Sequence, residues 1–246
     1  MIELKHKGCV LVGDIHGETE QLLDEFKANN IDITDSDVIF LGDIGLGFFY
    51  FSYHGMDWIR NDDVDTLKVL EKWCKKNDND IWLLRGNHDD PEVFNKFREM
   101  NVFDRIHFLD DGDEILGKDG KLYLVVPGAI SVDRIYRRLG ISYWENEVVN
   151  EDVYISKLQR DFDGVFAHTG PTPPLCEKSD FIVRMKENDP TLEMDINEER
   201  RIVENIIKKF NIKNWYGGHY HVSETFTSIN NCLVRVLNIN QPWILY

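Results

Sequence analysis

The chain repeats one local pattern: a short apolar run halts at a glycine, and side chains able to bind a metal or carry a proton follow at once. Ile81-Trp82-Leu83-Leu84 leads to Gly86-Asn87-His88-Asp89, the run from Gly8 to Gly13 leads to Asp14-Ile15-His16-Gly17, and Val38-Ile39-Phe40-Leu41 leads to Gly42-Asp43. Gly164-Val165-Phe166-Ala167 runs into His168-Thr169-Gly170, and Asn214-Trp215-Tyr216-Gly217-Gly218 into His219-Tyr220-His221. Uninterrupted apolar runs of this length read as buried strands, and Leu122 to Val126 adds another. Helical spacing fills the gaps. Leu22, Leu23 and Phe26 mark a helix over 18–29, a second covers 63–76, and Asp90-Pro91 opens a third as N-cap and first helical residue. A fourth is predicted from Asp195, where Asp195 and Glu198 form a capping-box pattern ahead of Ile202, Val203, Ile206, Ile207 and Phe210. Together these predict an α/β fold, and in open α/β sheets ligands bind beyond the carboxyl ends of the strands.

Three other segments matter for a site at those strand ends. Residues 44–61 are rich in glycine and aromatics (Gly45, Gly47, Phe48, Phe49, Tyr50, Phe51, Tyr53, Trp58) and are expected at the rim of a pocket, either touching substrate or only covering the core. Residues 172–194 hold Pro173-Pro174, carry no clear period and read as an exposed loop reaching across the site. The stretches 224–229 and 232–239, joined by Asn230-Asn231, read as a β-hairpin.

Composition narrows the class of function. At 246 residues the chain suits one domain spanning 1–246, and no apolar run approaches a membrane span. The start of the chain does not resemble a secretory signal, so a cytoplasmic protein with no membrane partner is expected. The four cysteines lie far apart, which argues against a zinc ribbon or a disulfide scaffold. A net charge of −16 disfavours nucleic acid as a partner, because phosphate backbones are held by basic surfaces. Within this acidic chain Arg134, Arg137 and Arg138 fall close together. They read equally well as a solvated face or as a grip on phosphate.

Five of the eight histidines fall in the glycine-flanked turns. Asp14, His16, Asp43, Asn87, His168, His219 and His221 make seven candidate ligands, too many for one ion. Their mixture of oxygen and imidazole suits manganese first, with iron or zinc as alternatives. Two ions sharing a carboxylate is an arrangement used to hydrolyse phosphate esters.

In their order, Asp14-Ile15-His16, Gly42-Asp43, Gly86-Asn87-His88-Asp89, a histidine after a later strand, and Gly218-His219-Tyr220-His221 resemble the calcineurin-like metallophosphoesterase superfamily over residues 8–222. The resemblance implies a four-layer α/β/β/α sandwich with metals at the carboxyl edge of the sheets. It implies Asp14, His16 and His221 on a first ion, Asn87, His168 and His219 on a second, and Asp43 bridging them. His88 then matches the histidine that contacts phosphate and protonates the leaving oxygen. The expected activity is hydrolysis of a phosphomonoester or phosphodiester by metal-activated water, on a small phosphorylated substrate such as a nucleotide or a phosphopeptide.

One departure separates the chain from the phosphoprotein-phosphatase branch, which reads Gly-Asp-x-x-Asp-Arg-Gly. Here Leu46 stands in place of the carboxylate that orients the histidine, and Gly47 in place of the arginine that grips phosphate. Arg134, Arg137 or Arg138 is expected to supply the missing charge, and Asp89, another nearby acid or no partner at all sets the protonation of His88. Two rival functions are a non-catalytic scaffold of the same fold and a nuclease. The filled ligand positions weigh against the first, and the acidic charge against the second.

Overall fold

The computed structural model describes all residues except 29, 30, 32, 53–56, 61, 62, 177 and 178. The amino-terminal half carries β1 (Ile2–Glu3), β2 (Gly8–Val12), α1 (Thr19–Ala28), β3 (Ser36–Phe40), β4 (Phe49–Ser52), β5 (Asp57–Arg60), α2 (Asp63–Asn77), β6 (Asp80–Leu83), α3 (Pro91–Met100) and β7 (Ile106–Phe108). There follow β8 (Glu114–Leu116), β9 (Leu122–Val126), α4 (Glu151–Lys157), β10 (Gly164–Ala167), α5 (Asp180–Asn188) and α6 (Leu192–Lys209). The chain closes with β11 (Asn214–Gly217), β12 (Glu224–Thr227), β13 (Leu233–Val236) and β14 (Pro242–Ile244).

Two mixed sheets result, ordered β14-β2-β3-β6-β7 and β1-β8-β9-β10-β11-β13-β12. Period-two alternation sorts their side chains into layers. Leu11, Ile39, Trp82 and Leu84 from the first sheet meet Tyr123, Val125 and Phe166 from the second, forming a core between them. The alternate residues Val10, Val12, Val38, Phe40, Ile81 and Leu83 face outward onto Leu22, Phe26, Leu67, Leu70 and Phe94 of α1, α2 and α3. On the far side Leu124, Val126, Val165, Ala167 and Trp215 meet Tyr154, Val203, Ile206 and Ile207 of α4 and α6. Because both faces of each sheet are covered, the strands read as continuous apolar runs. This is the expected four-layer α/β/β/α sandwich.

Parallel register sets the position of the site. Val12 pairs with Phe40 and Phe40 with Leu83, while Ala167 pairs with Val126 and Phe166 with both Val125 and Tyr216. The residues that follow β2, β3, β6, β10 and β11 therefore emerge at one edge of the sandwich.

Three local expectations change. The aromatic segment after Asp43 forms a two-stranded ribbon, with Phe49 paired to Arg60. Tyr53 lies outside the described residues, as do the side chains of Tyr50, Phe51 and Trp58. Residues 180–188, read as loop, form α5. The following helix starts at Leu192 behind Thr191, so Asp195 sits in its first turn and not at a cap. The carboxylate of Asp195 pairs with Arg134 at 2.6 Å instead. Two other readings hold: Asp90 caps α3 by accepting from the Glu92 and Val93 amides, and β12 and β13 pair across Asn230 and Asn231, both at positive φ.

Candidate metal centre

The glycines that end the strands are there because the ligand-type side chains crowd against them. A side chain at Gly86 would collide with the Asp43 carboxylate, and one at Gly218 with that of Asp14. His16, Asp43, His219 and His221 all take positive φ, from 50° to 66°. Such backbone costs a non-glycine residue about 1–2 kcal/mol, and its concentration at one edge marks a place where side-chain aim outweighs backbone comfort.

Asp14, His16, Asp43 and His221 form one group whose ligand atoms lie within 4.8 Å of one another. His221 Nε2 is 3.1 Å from Asp14 Oδ2, and His16 Nε2 is 3.9 Å from it and 3.8 Å from Asp43 Oδ2. The amide of His219 donates to both Asp14 oxygens at 2.9 and 3.1 Å.

A second group forms beside it. His168 Nε2 lies 3.0 Å from Asn87 Oδ1 and 3.2 Å from Asp43 Oδ1, and His219 Nδ1 lies 3.0 Å from Asn87 Oδ1. Asp43 thus faces both groups.

The protons show what these groups need. His168 Nδ1 sits 2.8 Å from the Leu41 carbonyl, which only accepts, so Nδ1 bears hydrogen and Nε2 is left to a lone pair. The Asn87 amide nitrogen donates to Ser131 Oγ at 3.1 Å, which turns Oδ1 inward. With His168 neutral in this tautomer, lone pairs of His168, Asn87 and Asp43 converge on one point, an arrangement suited to a cation. His16 Nε2 and His221 Nε2 lie 3.1 Å apart. Burial opposes charge on His168, yet the nearby Asp43 and Asp14 carboxylates push its imidazole up to about 9. Burial likewise opposes charge on Asp43 but is outweighed by His168, His88 and His16, which hold its carboxyl well below the usual range. A proton here takes the place that a cation would fill. The donor set, all nitrogen and oxygen, fits manganese, iron or zinc.

His88 stands beside this centre under different control. Its amide donates to Asp43 Oδ1 at 2.7 Å, and its ring stacks on Phe48 with centroids 4.5 Å apart. Arg137 Nη2 donates to His88 Nε2 at 2.7 Å. Burial, helped by the Arg137 charge, holds the His88 imidazole well below its ordinary value. Asp89 is not its partner: that carboxylate accepts from the amides of Ile44, Gly45, Leu46 and Gly86 at 2.8–3.3 Å. It is the post that holds the loop after Asp43.

Of the three arginines only Arg137 lines the cavity at the centre. It is fixed by Asp133 at 2.7 Å and Ser131 Oγ at 2.9 Å. Arg134, in the strap of residues 127–149 between β9 and α4, is committed to Asp189, Asp195 and Thr191, and Arg138 is exposed.

Sequence reasoning missed Ser131 and Glu147, which support Asn87 and Arg137 from behind. Glu147 accepts from the Ser131 and Trp144 amides and is pushed up to about 7 by burial. A further buried trio, His6, Asp37 and Asp80, sits at the amino ends of β3 and β6, the opposite edge of the sheet. There the Asp37 oxygens already accept from the Lys5 and His6 amides and from Trp82 Nε1.

Among solved structures the chain is similar to a phosphopantetheinyl hydrolase from Mycobacterium tuberculosis (11% identity, TM-score 0.47, 96% of this chain and 92% of that one). It is also similar to a dimetal phosphatase from Danio rerio (11%, 0.43, 95% and 87%) and to a protein serine/threonine phosphatase from Saccharomyces cerevisiae (15%, 0.39, 97% and 70%). No curated protein matches it in sequence. The family model described as calcineurin-like phosphoesterase matches residues 9–223, a span that begins in β2 and ends just past His221. On that match the chain belongs to the calcineurin-like phosphoesterase family.

Proposed function

We propose that the protein hydrolyses phosphoesters at a pair of metal ions. Asp14, His16 and His221 hold one ion, Asn87, His168 and His219 the other, and Asp43 bridges them. The observation that carries this reading is the convergence of lone pairs around Asp43, with the tautomer of His168 and the orientation of Asn87 fixed from outside. When bound, two such cations acidify water and offset phosphoryl charge. Manganese heads the order of expectation, ahead of iron and zinc. Because each sheet supplies only part of the donor set, residues 1–246 act as one unit.

The chain's own groups divide the remaining work. Arg137 provides the positive charge that Gly47 does not, reaching the site from the strap after β9. A phosphoryl group entering between Arg137 and His88 accepts from the guanidinium; His88 Nε2, which offers a lone pair while it accepts from Arg137, then takes up a proton from solvent beside the phosphoryl charge and passes it to the leaving oxygen. Phe48 holds the imidazole face on.

The test is metal content by elemental analysis, together with turnover of 4-nitrophenyl phosphate and bis(4-nitrophenyl) phosphate by manganese-loaded protein. Bound metal with turnover of at least one ester is expected. Loaded protein that turned over neither would sink the reading.

A further inference from the structure

The cavity at the metal centre extends well past the donors. Its volume is about 320 Å³, in the range that holds a small organic ligand. One side of it is apolar, with Ile130 and Val132 from the strap, Ile182 from α5 and Ile196 from α6, among polar neighbours such as Thr172 and Ser179. Ile130, Met185 and Leu192 are buried against one another, with Val132 and Ile196 packed on them, so this wall is fixed. A polyhydroxyl group pressed against such a surface would lose water without gaining partners. A ring or another flat apolar group would lose nothing.

Arg200 stands in the same lining. Its Nε donates to Thr172 Oγ1 at 2.9 Å, and among the described residues no carboxylate pairs with its guanidinium. The contrast is with Arg134, Arg137 and Arg201, each of which has an acidic partner. The neighbouring Glu199 turns its oxygens to the Ile130 amide and to Thr169 Oγ1. Acidic residues outnumber basic ones 44 to 28, so an arginine facing a cavity with its fork open is a place kept for an anion from outside the chain.

From this apolar wall and the open Arg200 fork we infer the substrate class: a phosphoester whose alcohol portion presents an apolar face about the size of one ring and carries a second anionic group. The inference rests on the hydrolase reading above.

Three esters test it with manganese-loaded protein: glycerol 2-phosphate (polar alcohol), phenyl phosphate (ring) and 4-carboxyphenyl phosphate (ring and anion). Comparing each variant with wild type on the same ester cancels leaving-group chemistry. Arg200→Gln is expected to lose at least about tenfold more kcat/KM on 4-carboxyphenyl phosphate than on phenyl phosphate, as for loss of a charge-assisted hydrogen bond. Arg200→Lys, which keeps the charge, should recover part of that difference. Ile182→Asn should lower both ring esters several-fold relative to glycerol 2-phosphate. Equal losses on all three esters in the Arg200 variants would overturn the anion assignment and give Arg200 to the transferred phosphoryl group. Equal losses with Ile182→Asn would overturn the apolar one. A loaded wild type inert toward every ester removes the hydrolase reading itself, a result distinct from altered selectivity in an active enzyme.

Discussion

Arg137 reaches the His88 ring from the strap after β9, far along the chain from Gly47, and is proposed to supply the charge that Gly47 lacks. On the proposed mechanism, Arg137→Ala should lower kcat/KM for a small phosphoester about tenfold or more, the scale of a lost charge-assisted hydrogen bond. Arg138→Ala should change little, since that side chain is exposed. Arg134→Ala should act on stability, costing about 1–2 kcal/mol in urea unfolding, because it leaves the buried Asp189 carboxylate unpaired. The same loss in all three variants would contradict this division. For His88, replacement by Asn should spare metal content and slow turnover about a hundredfold, a typical contribution of general acid catalysis. Equal turnover would remove the acid role. Glu147 gives a prediction for the metal-free protein. Burial raises its carboxyl from an ordinary 4.5 to about 7, so the folded protein holds this proton more tightly than the unfolded chain does. The stability it contributes is full below pH 4.5 and is lost as pH rises through about 7, on the order of 3 kcal/mol in all. Glu147→Gln should flatten that part of the stability–pH curve, measured by urea unfolding between about pH 5 and pH 8. An unchanged slope would refute the assignment.

At the scale of elements, the strands that aim the donors were readable in the sequence, and the segments that close over them were not. Strands buried on both faces produce unbroken apolar runs, and the seven ligand candidates stand right after them, so position followed from pattern. The structure draws all seven to one edge. Short surface elements have no such signal. α5 carries Phe181, Ile182 and Met185 at helical spacing behind Ser179, but the segment is brief and flanked by prolines. The ribbon of β4 and β5 was hidden because each strand is only four residues long and the stretch before them is broken by Gly45 and Gly47. Asp195 and Glu198 imitate a capping box, yet the Asp195 side chain is claimed by Arg134, a contact made 61 residues back in the chain that no local pattern reports. Asp89 was legible as a polar residue in a key turn but not as the anchor of the next loop. Asp89→Ala should leave up to four buried amides without an acceptor and cost about 3 kcal/mol or more. Thermal unfolding reads this directly, and a melt within about one degree of wild type would show that water takes over those amides.

Taken as a whole, the sandwich draws its candidate ligands from both of its sheets. Asp14, His16, Asp43 and Asn87 follow strands of one sheet, and His168, His219 and His221 follow strands of the other. Ions held between them would tie the two sheets at their shared edge. Added Mn²⁺ should therefore raise the melting temperature with rising concentration, and EDTA should lower it, by several degrees once the ion exceeds its Kd about a hundredfold. His219→Ala should blunt the response, and a melting temperature indifferent to Mn²⁺ in the unaltered protein would contradict the bridging role. The arrangement also fixes an order of events in time. His16 and His221 touch across an interval of 205 residues, and on the proposed assignment each ion draws ligands from both sheets, so neither set is complete until both sheets are in place. Loading then comes after the chain has folded, so Mn²⁺ should leave the refolding rate as it is and slow unfolding, giving protection whose measure is a lifetime.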